Sequence, residues 1–143
     1  MRPHIEYAMP AWIPHQVNHL KKLESTQRWF TRQIPGISHL DHQSRYNVCG
    51  LQSVQARCDR GIAIESFKII SGIGSTNKIQ LQPHDHNYET RGRSDGNLEH
   101  VKPNSDIRKY SFAVRAPIVW DTVNTLTRTS TTINGFKNAY DTM

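Results

Sequence analysis

Apolar residues at Val17, Leu20, Leu23, Phe30 and Ile34 recur at steps of three, four and seven, the spacing that gathers side chains on one face of an α-helix. This predicts a helix from just after Pro14 to Pro35-Gly36, with that face turned to a core. Asp41 is a suitable N-cap for a short helix through Tyr46 and Val48 that Gly50 should stop. Ser53 can cap a longer one reaching Gly72, and its apolar residues Val54, Cys58, Ile62, Phe67, Ile69 and Ile70 cover much of its circumference. Such coverage suits the central helix of a small helical cluster.

The pattern then fades. From Ser71 to Ser105, Gly, Asn, Asp, Ser, Thr and His dominate and no apolar period persists, which predicts a long loop or flexible linker. Beyond it, Tyr110-Ser111-Phe112-Ala113-Val114 alternates weakly. Pro117 suits the first turn of a helix from Ile118 to about Val123, and Ile133, Phe136 and Tyr140 share one face of a last helix. The expected fold class is therefore mainly α: a helical region over residues 1–72, a polar linker over 73–105, and a C-terminal helical tail over 106–143. At the start of the chain, the apolar strip Ile5, Tyr7, Ala8 and Met9, broken at Pro10, has only Met1 before it to pack against. It is expected to be the edge of something larger.

A length of 143 residues with 36% hydrophobic content leaves only a modest core, which argues against a large self-sufficient enzyme. The formal charge of +6 points to a polyanionic partner, because Lys and Arg gain affinity for phosphates by releasing condensed counterions. Cys49 and Cys58 fall on helical stretches without a framework of further cysteines, as expected of reduced thiols in an intracellular protein, cytoplasmic or nuclear. No apolar run approaches transmembrane length and no secretory leader follows Met1, so neither membrane insertion nor secretion is expected.

Catalytic signatures are sparse. Asp41, Asp59, Asp85, Asp95, Asp106, Asp121 and Asp141 are scattered singly, whereas two-metal phosphoryl transfer calls for carboxylates brought close together. The glutamates are equally isolated, so most carboxylates are expected to be caps or solvated charges. No Gly-rich phosphate loop, nucleophile elbow or HExxH helix is present. His15 and His19, His39 and His42, and His84-Asp85-His86 have spacings that permit a zinc ion, but no paired cysteines complete a ligand set. No metal, cofactor or catalytic residue is expected.

The basic residues carry more. At 3.6 residues per turn Lys21, Arg28 and Arg32 line up on one side of the first long helix, with Lys22 on the flank and Trp29 beside them. Cations there could hold phosphates while the indole stacks on a base or ribose. The alternative for Trp29 is packing beneath Tyr7 or Trp12. Arg57 with Arg60, and Arg108-Lys109 with Arg115, are further basic groups, by default solvated faces.

The order Arg2-Pro3-x-Ile5-Glu6-Tyr7-Ala8-x-Pro10-x-Trp12, then Leu23-Glu24-x-x-Gln27-Arg28-x-Phe30-Thr31-Arg32-x-Ile34-Pro35-Gly36, resembles the region after the polymerase domain in non-LTR retrotransposon reverse transcriptases of the jockey and CR1 type. Further matches in order are Tyr46, Gly50-Leu51-x-Ser53-Val54, Arg57, Phe67-Lys68-Ile69-Ile70-x-Gly72, Thr90-Arg91-Gly92, Ser111-Phe112-Ala113-Val114-Arg115-Ala116-Pro117-x-x-Trp120 and Phe136-Lys137. The resemblance spans nearly the whole chain. It implies the thumb-like and C-terminal portion of a mobile-element RNA-directed DNA polymerase, with the catalytic palm upstream and no catalytic aspartate to carry over. Where that family commonly reads Trp-Asn-x-Leu-Pro, this chain has Trp120-Asp121-Thr122-Val123-Asn124, a departure that bears on the docking of the C-terminal helices.

Together these features lead to an expectation of a noncatalytic helical fragment that binds RNA, DNA or their hybrid without sequence preference, through Lys21, Lys22, Arg28, Arg32 and Trp29. Two alternatives stand beside it. One is a helical interaction module that docks a protein through the apolar segment around Ile5, Tyr7 and Trp12. The other is a remnant reading frame with no selected function.

Overall fold

The computed structural model of the chain describes residues 7–12, 14–73, 79–83 and 96–143. They form α1 (Met9–Trp12), α2 (Val17–Arg32), α3 (His42–Val48), α4 (Val54–Ile70), α5 (Asp106–Lys109), α6 (Phe112–Asp121), α7 (Thr125–Arg128) and α8 (Ile133–Asp141). The protein is mainly α-helical, and among the described residues the extended pairing consists of one antiparallel bridge between Pro83 and Leu98. Two compact units are present, one ending at Cys58 and the other beginning at Asp59.

In the first unit the helix ends follow the capping chemistry of the sequence. The Asp41 carboxylate accepts hydrogen bonds from the backbone N–H groups of Gln43 (2.9 Å) and Ser44 (3.3 Å), which starts α3. Gly50, at φ +58°, ends it: its own N–H donates to the Asn47 carbonyl and that of Leu51 to the Tyr46 carbonyl. This paired closure needs a left-handed residue, which glycine adopts without a Cβ penalty. Ser53 Oγ accepts from the Ala56 N–H at 3.1 Å and caps α4.

The inner face of α2 differs from the expected apolar stripe. Leu20 and Leu23 are half-buried as anticipated, but Val17, Phe30 and Ile34 are exposed, and polar Glu24, Thr26, Gln27 and Thr31 are half-buried or buried. On a helical wheel Leu20, Leu23, Glu24, Gln27 and Thr31 span an arc of about 100°, and Val17 and Phe30 fall about 20° beyond its two edges. Ile34 follows the last helical residue. A unit of this size offers α2 too little surface to cover a wider stripe.

Polar bonds tie that arc down. The Tyr46 hydroxyl donates to Glu24 Oε2 (3.0 Å) and the Val54 N–H to Glu24 Oε1 (2.5 Å). Gln27 Nε2 donates to the Gln52 carbonyl at 3.1 Å, and Arg57 donates to both Gln27 Oε1 (2.7 Å) and the Gln52 carbonyl (2.6 Å). Buried Arg45 donates to Thr31 Oγ1 and to the Leu40 carbonyl. Glu24 is thus neither a solvated charge nor a cap of its own helix; it supplies the acceptor for the first N–H of α4.

The second unit has an apolar core of Ala63, Ile64 and Phe67 from α4, Leu98, Trp120, Val123 and Phe136. Phe67 and Phe136 stack with centroids 4.5 Å apart, Trp120 continues the column 6.0 Å from Phe136, and the Arg128 guanidinium lies over Trp120 at 5.7 Å. Trp120 Nε1–H donates to the Gly96 carbonyl at 2.9 Å. The α4 helix closes at Gly72, φ +66°, with the same paired bonds seen at Gly50.

The second unit begins within α4, whose Ala63, Ile64 and Phe67 share a core with Trp120 and Phe136. Two features of this unit depart from the sequence pattern. Within the stretch expected to be a linker over 73–105, Leu98 is buried, Leu81 packs against the core, and the Glu99 N–H donates to the Gln82 carbonyl. Two isolated leucines among polar residues generate no period, so the pattern does not show them. Second, Pro117 lies inside α6, which begins at Phe112. Ser111 has the extended backbone of an N-cap, and its carbonyl accepts from Val114 and Arg115. The carbonyl that loses a partner to proline is that of exposed Ala113, where water can replace the bond. The last helix follows expectation, with Phe136 buried, Ile133 and Tyr140 half-buried, and Thr132 capping through a bond from the Gly135 N–H at 3.0 Å.

Cys49 is half-buried and Cys58 buried, and neither forms a disulfide. Among the described residues, no helix is long and apolar enough to cross a membrane.

Candidate nucleic-acid interface

Because the polar arc of α2 faces inward, Lys21, Lys22, Arg28, Trp29 and Arg32 face outward, and all five are exposed. Lys21, Arg28 and Arg32 lie within about 40° of one another around the axis and extend about 16 Å along it. None of the four cations makes an ion pair with a described residue, in contrast to Arg60 with Asp141, Lys68 with Glu65 and His100 with Asp121. Arg28 differs from the other three in lying close to the Tyr46 phenol. Burial pushes that phenol above its ordinary pKa, the Glu24 carboxylate adds to the rise, and the Arg28 guanidinium opposes it.

Trp29 is 59% exposed. Its ring meets Phe30, with centroids 5.1 Å apart and planes at 82°. Packing beneath Tyr7 or Trp12 is not the arrangement found: Tyr7 is itself exposed, and the Trp12 indole N–H donates to the Tyr7 carbonyl at 2.5 Å. Ile5, the third residue of that apolar segment, lies outside the described residues.

The other basic groups are placed differently. Arg57 is engaged with Gln27 and Gln52, and Arg60 forms a two-pronged bond to Asp141 at 2.6 and 2.7 Å, so both serve the fold. In the second unit Arg108 and Lys109 are exposed, Lys109 lies 5.6 Å from the Tyr110 ring centre, and Arg115 is half-buried.

His15, His19, His39 and His42 are exposed, and His42 meets the Tyr46 ring edge-on. His84, Asp85 and His86 lie outside the described residues, as do Thr90, Arg91 and Gly92. Among the described residues, no three His, Cys, Asp or Glu side chains converge in a way that could hold a metal ion. Searches for similar proteins return no matching family model, curated protein or solved structure.

Proposed function

We propose that the chain binds nucleic acid without sequence preference through the outward face of α2, as a noncatalytic piece resembling the C-terminal part of a mobile-element reverse transcriptase. The observation that carries the proposal is the exposed alignment of Lys21, Arg28 and Arg32, without ion-pair partners among the described residues. Exposed cations at that spacing suit a phosphate backbone, and the net charge of +6 favours approach to a polyanion. RNA, DNA and their hybrid share this backbone.

Salt dependence tests it. If Lys21, Lys22, Arg28 and Arg32 each neutralise a phosphate, the slope of log affinity against log salt is about −3.6 on duplex and about −2.8 on single strands. Lys21→Glu with Arg32→Glu and Arg28→Gln should flatten it by about 2 to 3. Glutamine is chosen at position 28 because a carboxylate there would lie near Glu24 and Tyr46. An unchanged affinity and slope would remove the assignment.

A second reading, a helical protein-interaction module, draws support from the exposure of Tyr7 and Trp12. Association that persists in high salt and depends on Tyr7 and Trp12, with no nucleic-acid binding, would favour it.

A further inference from the structure

We infer that the α2 face is selective for single-stranded nucleic acid, with Trp29 as the platform on which an unpaired base stacks. This deepens the nucleic-acid proposal above and rests on it. Around the helix axis Trp29 lies between Lys22, about 20° to one side, and Arg32, about 60° to the other. Along the axis it stands about 10 Å beyond Lys22 and about 4.5 Å before Arg32. The aromatic ring is therefore interleaved with the cations.

The ring is also open. It is 59% exposed, and its described ring partner, Phe30, is nearly perpendicular to it. In a perpendicular pair one ring presents its edge to the other's face, so Phe30 covers at most one side of the indole. At least one face is left for a base while Lys22 and Arg32 hold the phosphates on either side.

A duplex cannot use this arrangement well. Both faces of an internal base are already covered by its neighbours, and opening a step costs free energy. Single strands present unpaired bases, and every base has a π-face, so the preference is for strand type and not for sequence. A large apolar ring in the middle of a basic face also adds nothing to contacts with duplex phosphates.

The test compares an oligothymidylate with a blunt duplex of the same length, by fluorescence anisotropy of labelled oligonucleotides and the full chain. Trp29→Ala should weaken single-strand binding about 5- to 100-fold and change duplex binding less than about twofold, and Trp29→Phe should restore most of the loss. The position is exposed, so an unchanged far-UV circular dichroism spectrum is expected of both variants. Equal losses on the two ligands, or no loss on the single strand, would overturn the stacking role. If that happens while the variant with Lys21, Arg28 and Arg32 replaced still loses affinity, the phosphate-binding face stands and only the strand preference falls. If the parent chain binds neither oligonucleotide, both proposals fall. Salt-resistant self-association lost in Trp29→Ala would then reassign the ring to a protein contact.

Discussion

Replacing Glu24 with alanine removes two acceptors at once, those of the Tyr46 hydroxyl and the Val54 N–H. Tyr46 is 3% exposed and Val54 1%, while Glu24 itself is half-buried, so water reaches the vacated site only in part. A buried donor left unsatisfied costs about 1–3 kcal/mol. Some relaxation around the shortened side chain is expected, and the carboxylate's favourable position at the start of α4 is lost as well, worth about 0.3–1 kcal/mol. We expect Glu24→Ala to destabilise the chain by about 3 kcal/mol. Glu24→Gln retains one carbonyl oxygen but points an NH2 group at the other donor, and should cost about half as much. Tyr46→Phe removes one donor along with its need, so the double variant Glu24→Ala/Tyr46→Phe should be less destabilised than the sum of its parts, by about 1 kcal/mol. Urea unfolding of the full chain followed by far-UV circular dichroism measures all four. A Glu24→Ala variant within about 0.5 kcal/mol of the parent would show that the carboxylate is solvated and that α2 is held by other means.

Two further outcomes follow from the second unit and the tyrosines. Phe136→Ala takes the middle ring from the Phe67–Phe136–Trp120 column and should cost about 3–5 kcal/mol in the same assay, whereas Phe136→Leu should cost much less. Burial is the largest cause of the raised phenol pKa at both Tyr46 and Tyr140. The fold binds those protons more tightly than the unfolded chain, so their contribution is fully present below about pH 10 and is lost as pH rises through the folded-state values. The urea midpoint should therefore fall as pH rises above about 10, and the Tyr46→Phe/Tyr140→Phe double variant should flatten the fall.

Helix ends were the most legible part of the chain. Asp41, Gly50, Ser53 and Gly72 mark real boundaries because capping is local chemistry, decided by a few neighbouring atoms. Side-chain partners were harder to read. Leu20, Glu24, Gln27 and Thr31 recur at steps of four, three and four, a helical face in their own right, but hydrophobicity scoring passes over a polar face. Pro117 departs from its average preference for a related reason: proline favours first turns, yet here one exposed carbonyl accommodates it deeper in α6. Leu98 is invisible to periodicity because its partners are distant in sequence. At the candidate interface, the alignment of Lys21, Arg28 and Arg32 needed only the helix period. Whether Trp29 faced solvent depended on where Tyr7 and Trp12 went, which no spacing rule decides.

The polar inner arc of α2 has a mechanical consequence. An apolar stripe in contact with apolar neighbours lets a helix roll by several degrees at little cost, since dispersion contacts are individually weak and non-directional. Hydrogen bonds are directional, preferring angles above about 150° and weakening steeply below about 120°. Bonds at Glu24, Gln27 and Thr31, spread over two turns, therefore key α2 like a shaft in its slot. The backbone positions from which Lys21, Arg28, Trp29 and Arg32 project inherit their bearing from that key, while the exposed side chains keep their own reach toward a ligand.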